Sequence, residues 1–379
     1  MIYEEVSSES RTRRTLTGAA RVLSALRMDG PLVTGLALTA AYGLVVLYSA
    51  SAESLPMVLR TAMRLVLGTA AMLALARVSP NFLRRTSPWL YAIGVVPLLA
   101  VAVVGHRGLG AQRWLSLGPI RFQPSELMKV AVPMMCAWYL QERPLPPRWP
   151  NLLLLGVIIM APAGLVAKEP DLGTAALIAA GGMLVVFLAG LRVRVIVGML
   201  LLGVAAAWFG LRFMHGYQRQ RLLTFLNPQS DPLGAGYHII QSQIAIGSGG
   251  VFGKGWMNGS QAQLDFLPER TTDFIFAVIG EEFGLLGLAV LLLLYAFIIG
   301  RSLYLAVQTP DTFSRLLAGS VALTFFVYVF INAGMVTGLL PVVGVPLPLV
   351  SYGGSSVVTV LAGFGILMSL HAHRKLMGS

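Results

Sequence analysis

Long apolar runs, separated by short polar or glycine- and proline-rich stretches, organise this chain from residue 31 to residue 371. Ten runs stand out, at 31–50, 58–77, 88–105, 124–140, 151–167, 173–190, 195–213, 273–300, 316–338 and 355–371. Runs near 20 residues match the ~30 Å of hydrocarbon that a helix must cross. Membrane-barrel strands would instead alternate polar and apolar residues over about 10 positions, and hydrocarbon offers no partners to exposed backbone groups. The pattern therefore predicts an all-α polytopic membrane protein, a bundle of ten transmembrane helices. Its long polar interruption, 214–272, falls between the seventh and eighth spans.

Composition agrees with this reading. Of 379 residues, 56% are hydrophobic and 12% charged, against about 25% charged in a soluble domain. The net charge of +12 is not read as a nucleic-acid footprint, and no nucleic acid partner is expected, because basic residues in such a chain hold loops in the cytoplasm. Arg11, Arg13, Arg14, Arg21 and Arg27 precede the first span, and Arg77, Arg84, Arg85, Arg143, Arg148, Arg192, Arg194, Arg301, Arg315, Arg374 and Lys375 fall in loops on the same side. Loops 51–57 and 339–354, on the other side, hold no Lys or Arg. Both termini are thus expected in the cytoplasm. Residues 1–29 read as a basic arm able to touch anionic lipid, 30–372 as one transmembrane domain, and 373–379 as a tail. The first span lacks a cleavage-site flank and is expected to stay as an anchor. Cys136, the single cysteine, forms no internal disulfide.

No zinc-ligand spacing, Walker A, dinucleotide fingerprint or catalytic-serine elbow occurs. Candidate chemistry gathers at the loops predicted to be extracytoplasmic. Segment 214–272 is long enough to be functional or disordered, and its Tyr217, Phe225, Tyr237, Phe252, Trp256 and Phe266 argue for order. Residues 236–247 predict a short amphipathic helix, with Ile239, Ile240, Ile244 and Ile246 toward lipid or protein and Gln241 and Gln243 more exposed. The segment ends in LPERTTDFIFAVIGEEFG. There Asp273 enters the eighth span, as a helix cap or a functional carboxylate, and Glu281 and Glu282 follow inside it. Glu281 falls about 12 Å deeper than Asp273 with an offset of roughly 80°, compatible with one shared cavity. Asp265 and Glu269 are explained by loop solvation.

RWLSLGPIRFQPSELMK, residues 113–129, starts a helix at Pro124 and Ser125 and puts Glu126 and Lys129 on one face. Within a span that pair is desolvated, so it must be compensated, as part of a site or as bundle glue. AKEPDLGT gathers Lys168, Glu169 and Asp171 in a tight turn. LLPVVGVPLPLVSYGGSS breaks helix with prolines and glycines, leaving Ser351, Ser355 and Ser356 to face a cavity or a re-entrant turn. Carboxylates for proton transfer, cations for phosphate and an apolar bundle for a lipid tail suit a reaction on a lipid-linked phosphate or pyrophosphate. Movement of a lipid or ion through the bundle is the rival reading.

In this order RWLSLGPIRFQPSELMK, KEPDLGT, GKGWMNGSQAQLDFLPERTTDFIFAVIGEE and LPLVSYGGSS resemble the shape, elongation, division and sporulation (SEDS) family of bacterial peptidoglycan glycosyltransferases, over roughly residues 30 to 372. GLLPVVGVPLPLVSYGGSS is more similar to the elongation branch than to the division branch. The resemblance implies polymerisation of lipid II into glycan strands on the extracytoplasmic side of the cytoplasmic (inner) membrane, with a class B penicillin-binding protein as transpeptidase partner among other elongation-complex proteins. It places the family's essential aspartate on Asp273, and its Glu and Lys on Glu126 and Lys129. The family commonly has His before its Thr-Asp pair, where this chain has Thr271, so a histidine base is not expected there. Asp273 is then the general base, with Glu281 and Glu282 as secondary carboxylates. Arg113, Lys129, Lys168, Arg219, Arg221, Ser351 and Ser355 are candidates for pyrophosphate or substrate binding. A divalent cation (Mg2+ or Mn2+) is a further candidate without an identified ligand set. Lipid II flipping is the alternative.

Overall fold

The computed structural model describes residues 28–104, 106–108, 111–117, 120–169, 171–191, 235–264 and 266–373, with isolated positions between 193 and 229; from 101 to 122 it describes the backbone alone. The helices are α1 Gly30–Ala50, α2 Leu55–Ala76, α3 Pro80–Val104, α4 Pro124–Leu140, α5 Trp149–Lys168, α6 Leu172–Leu188, α7 Ala235–Gly249, the single turn α8 Ser260–Gln263, α9 Ile275–Val307, α10 Thr312–Val336 and α11 Ser356–Ala372. Five of them, α1, α2, α5, α9 and α10, are long and apolar enough to cross a membrane, and α6 and α11 are shorter apolar helices. The chain is an all-α polytopic membrane protein. Most of the predicted span 195–213 lies outside the described residues; a helix occupies each of the other nine predicted positions. Two run past their predicted ends by seven or eight residues. α3 begins at Pro80 and α9 reaches Val307, because a helix continues through polar turns such as Arg84, Arg85 and Arg301 after the apolar pattern has stopped.

A small antiparallel sheet, which the hydrophobic pattern did not reveal, precedes α4. Strands β1 His106–Gly108, β2 Ala111–Leu117 and β3 Ile120–Phe122 pair in the order β1-β2-β3, with Gly108 opposite Ala111 and Leu117 opposite Ile120. Two residues join each pair, the shortest common hairpin connection. Strands this brief carry too little alternation to register against the runs around them.

Aspartates start the helices in this acid-poor chain. Asp29, Asp171 and Asp311 precede α1, α6 and α10, and each side chain accepts the N–H three residues on, from Leu32, Thr174 and Ser314. Small residues let helices approach in the absence of a hydrophobic drive between them. A Cβ at Gly68 of α2 would lie 2.6 Å from the Leu361 side chain, and one at Gly365 of α11 would lie 2.5 Å from the Met72 carbonyl oxygen. Those two contacts also show that α2 and α11 run parallel.

α9 is broken at Gly284, which has φ 63° and ψ −159°. Residues 250–255 form a strap that enters the break. Lys254 and Gly255 donate their N–H groups to the carbonyls of Glu281 and Glu282, and Leu285 and Leu286 donate theirs to Gly250 and Val251. α7 leads into the strap and packs through Ile239, Ser242 and Ala245, with the Ser242 hydroxyl donating to the Val336 carbonyl at 2.7 Å. Ile239 and Gln243 lie as the amphipathic pattern predicted, buried and exposed, and Ile244, predicted toward lipid or protein, lies on the face not covered by protein. The buried face carries a serine that a purely apolar count passes over.

At the far end of the bundle Asp29 ties α1 to α9. Arg301 Nη2 lies 2.7 Å from its Oδ2 and Nε 3.0 Å from its Oδ1, while Oδ1 also caps α1. Burial acts to raise the Asp29 carboxyl, but the Arg301 hydrogen bonds, the Leu32 N–H and nearby positive charge outweigh it, so the net shift is downward from 3.8. A lowered native value means that this contribution is complete above the unfolded value and fades as pH falls through the native one. Asp29→Asn should cost about 1–2 kcal/mol at neutral pH, read as a lower melting temperature in detergent. The difference between the two proteins should shrink below about pH 4.

Candidate active site

Asp273 sits in the turn 271–274 that leads into α9; the residue at the cap position is Phe274, with no side-chain cap bond. Three consecutive carbonyls of this turn are held from outside by different groups. Thr271 accepts from the Tyr352 N–H at 2.8 Å, Thr272 from the Ser351 hydroxyl, and Asp273 from Asn332 Nδ2 at 2.9 Å. Asn332, fully buried on α10, also donates to the Val345 carbonyl at 2.8 Å. Ser351 accepts from the Leu347 N–H as it donates to Thr272. The backbone is thereby fixed while the carboxyl stays half-buried beside Gly344, where an added Cβ would stand 3.4 Å from Asp273 Oδ2. Gly344 has φ 74°, which also favours glycine.

The other motifs converge on the same end. Lys129 Nζ lies 2.6 Å from Glu126 Oε1, and both residues are buried. The Lys129 ammonium is 5.5 Å from the centroid of the Tyr328 ring. Tyr328 stands one turn before Asn332 on α10, so a single helix face touches both the ion pair and the Asp273 turn. Gln123, just before α4, reaches Asp171 at 3.5 Å. Beyond Asp171, Gly173 approaches the loop that holds Gly344 so closely that a Cβ would lie 2.5 Å from the Val343 carbonyl.

Two cavities meet here. One of about 490 Å³ is lined by Lys129, Pro133, Leu317, Phe325, Tyr328 and Val360 among others. A second, of about 220 Å³, is bounded by Tyr328, Leu347, Ser351, Gly353, Ser356 and Val360. They share Tyr328 and Val360, so an apolar space between α4, α10 and α11 adjoins the loop that holds the Asp273 turn.

Several predicted residues stand apart from this cluster. Glu281 is fully buried and accepts from Lys254 Nζ at 2.7 Å, from the Ser260 hydroxyl and from the Gln261 N–H; Glu282 accepts from the Ser49 hydroxyl. Glu281 therefore fastens the strap to the break in α9, and Glu282 ties the same place to the end of α1. Lys168 is exposed at the end of α5, and Ser355 lies at the start of α11. Arg219, Arg221 and Asp265 lie outside the described residues, as does the side chain of Arg113 on β2. Glu269 is exposed and accepts from the Thr272 hydroxyl at 2.7 Å. Among the described residues no three His, Cys, Asp or Glu side chains gather to hold a metal ion. Asn332 and Tyr328 were absent from the sequence reading; a polar amide in the apolar run VYVFINAGMV was the available signal.

Residues 31–376 match the family described as cell cycle protein, the FtsW, RodA and SpoVE group. The chain belongs to that family and is a peptidoglycan glycosyltransferase of the SEDS type. It is 52% identical over 340 residues to the peptidoglycan glycosyltransferase MrdB of Escherichia coli, spanning 89% of this chain and 91% of that one. It is 35% identical over 360 residues to the probable peptidoglycan glycosyltransferase FtsW of Geobacter metallireducens, spanning 91% and 94%. Among solved structures, the rod shape determining protein RodA of Thermus thermophilus aligns with TM-score 0.69 and 32% identity over 91% of this chain and 97% of that one. A chain from a peptidoglycan synthase complex that coordinates polymerization and crosslinking aligns with TM-score 0.80 and 35% identity over 91% and 98%.

Two outcomes test this geometry. Glu126→Gln or Lys129→Met alone should destabilise the protein by about 3–5 kcal/mol, since each leaves a buried charge unpaired, whereas the double variant should recover stability more than activity. A cycle of melting temperature and turnover checks it, and additive losses would mean that the two charges do not act together. Asn332→Ala should lower kcat by about 10- to 100-fold while changing KM less, because it loosens the turn without removing the carboxyl. An equal effect on both constants would count against a positioning role.

Proposed function

We propose that this enzyme polymerises lipid II into glycan strands at the outer face of the cytoplasmic membrane during cell elongation, with Asp273 as general base. The observation that carries the assignment is the turn 271–274, whose three carbonyls are pinned by Tyr352, Ser351 and Asn332 while its carboxyl is left beside Gly344. A base must be held within hydrogen-bond reach of the proton it removes, and rigid backbone is what supplies that. The 4-hydroxyl of the acceptor GlcNAc attacks the anomeric carbon of the donor MurNAc, its proton passes to Asp273, and the bond to undecaprenyl pyrophosphate breaks. The donor is α-linked and the product β-linked, so one inverting displacement suffices and no enzyme nucleophile is needed. Lys129 is the described cation best placed to compensate leaving-group charge, since it borders the larger cavity. Arg113, Arg219 and Arg221 are further cations for this role.

Topology completes the proposal. Ten crossings with both termini in the cytoplasm put the Asp273 end outside, where lipid-linked donors are presented. A class B penicillin-binding protein is the proposed partner, supported by the similar chain in a complex that couples polymerization with crosslinking.

Asp273→Asn preserves shape and removes proton acceptance. It should keep the melting temperature of the parent and lower polymerisation by at least about 100-fold. The measurement is glycan length on gels from purified protein in detergent with labelled lipid II and the partner, its transpeptidase inhibited. Near-normal polymer from this variant would exclude Asp273 as the base. Leaflet exchange of lipid II in sealed vesicles, without polymer from the parent protein under any condition, would promote the flippase alternative.

A further inference from the structure

Arg64 lies about 14 Å along α2 from Leu55, well inside a helix apolar enough to cross a membrane. A guanidinium at such depth is expensive unless it is paired or serves a ligand. Its Nη2 meets the Tyr352 hydroxyl at 3.3 Å, and its plane lies over the Tyr352 ring with the centroid 4.6 Å away. Both contacts are to a neutral group. Nη1 is buried from solvent and has no hydrogen-bond partner, and among the described residues no carboxylate forms an ion pair with Arg64.

The parallel register of α2 and α11 sets what faces this cation. Gly68 lies against Val358 and Leu361, and Met72 against Gly365. Eight residues back along both helices from Met72 and Gly365, the Arg64 backbone comes level with Val357 in the first turn of α11, and its guanidinium reaches Tyr352, four residues before that helix starts. Ser355 makes no side-chain cap bond, and the space where a Gly354 Cβ would stand is open. A cation lacking a counter-charge therefore stands beside a helix start whose N–H groups are not capped by a side chain, and that combination suits a phosphate. The Tyr352 beneath Arg64 also holds the Thr271 carbonyl through its N–H, two residues before Asp273.

We propose that Arg64 and the start of α11 form a binding site for the pyrophosphate of a polyprenyl-linked substrate or product. The choice of ligand rests on the polymerase reading above. The planar fork of arginine grips two phosphate oxygens while stacking on an aromatic face, which a lysine ammonium cannot do. Occupancy would complete the charge balance of a residue that now leans on a tyrosine, and would brace the loop that holds the catalytic turn.

Binding is measured on the purified full chain in detergent, by native mass spectrometry and thermal-shift titration, with undecaprenyl pyrophosphate, undecaprenol and phosphatidylglycerol as probes. Arg64→Gln should weaken undecaprenyl pyrophosphate about tenfold or more and leave undecaprenol unchanged. Arg64→Lys should fall between, and Tyr352→Phe, which removes only the neutral hydroxyl, should bind nearly as the parent does. Unchanged pyrophosphate-lipid affinity in Arg64→Gln overturns the site. A parallel loss of phosphatidylglycerol marks a bulk-lipid headgroup site and overturns the substrate assignment. Should Arg64→Gln fail to fold, Arg64→Lys carries the test: selective weakening supports the site and parental affinity overturns it. The readout needs no turnover. A protein that binds through Arg64 yet makes no polymer keeps this site and sinks the polymerase reading, and polymer with no Arg64 dependence of binding does the reverse.

Discussion

The break in α9 is the feature on which the architecture of the Asp273 end of the bundle depends. An intact helix would bond Leu285 to Glu281 and Leu286 to Glu282; here both carbonyls accept from Lys254 and Gly255, and both N–H groups turn to Gly250 and Val251. Two ladder bonds are exchanged for four to the strap. In a membrane this exchange is required, because freed backbone groups find no water and must be met by protein. Gly284 permits it twice over, through its positive φ and because a Cβ would lie 2.4 Å from the Gly253 nitrogen. The Glu281 carboxylate then collects Lys254 and the first turn of α8, which makes an otherwise expensive buried charge the fastening of the strap. The chain leaves that fastening, passes Arg270 bound to the end of α1 at the Ala50 carbonyl, and arrives at the turn carrying Asp273.

The site is assembled from pieces that share no sequence neighbourhood. α10 supplies Tyr328 and Asn332, the loop after it supplies Gly344, Ser351 and Tyr352, and the approach to α4 meets the start of α6 through Gln123 and Asp171. Asp171 caps α6, and Asn332 and Ser351 donate to backbone carbonyls. Tyr295 does likewise at the Pro348 carbonyl and Ser320 at that of Gly181. Such bonds fix loops that hydrophobic packing alone would leave free to slide, since lipid tails and apolar side chains are nearly equivalent surroundings.

The helices at nine of the ten predicted positions were legible because a single strong signal, apolar length, defines them. The ends of α3 and α9 were not, because helix hydrogen bonding outlasts the apolar pattern. Asp273 and the Glu126–Lys129 pair were legible for the same reason in reverse, as charges at the border of apolar runs. Glu281 and Glu282 carry an equally strong signal and turned out to meet Lys254 of the strap and Ser49 of α1, partners set by long-range folding that periodicity does not encode. Asn332 was overlooked because it carries no charge and stands alone in an apolar run that still reads as a span, although its two bonds to the Asp273 and Val345 carbonyls hold the turn. Arg64 was assigned to a span and given no role, since its exceptional feature is a buried nitrogen without a partner.

The arrangement of charge also bears on what kind of ligand the bundle can accept. Lys129 is already neutralised by Glu126 at 2.6 Å, yet it lines the larger cavity, most of whose lining is apolar. Such a space favours a hydrocarbon chain, while the ion pair offers a dipole at its edge that an anionic headgroup can polarise without either partner being stranded. A free lysine there would have to be desolvated alone, and an apolar residue would offer the headgroup nothing. The paired lysine is the intermediate solution, a polar group at the edge of an apolar space with neither charge stranded. That division, an apolar lining between α4, α10 and α11 with the Tyr328 and Ser351 side chains at its edge, follows the direction in which the two cavities adjoin.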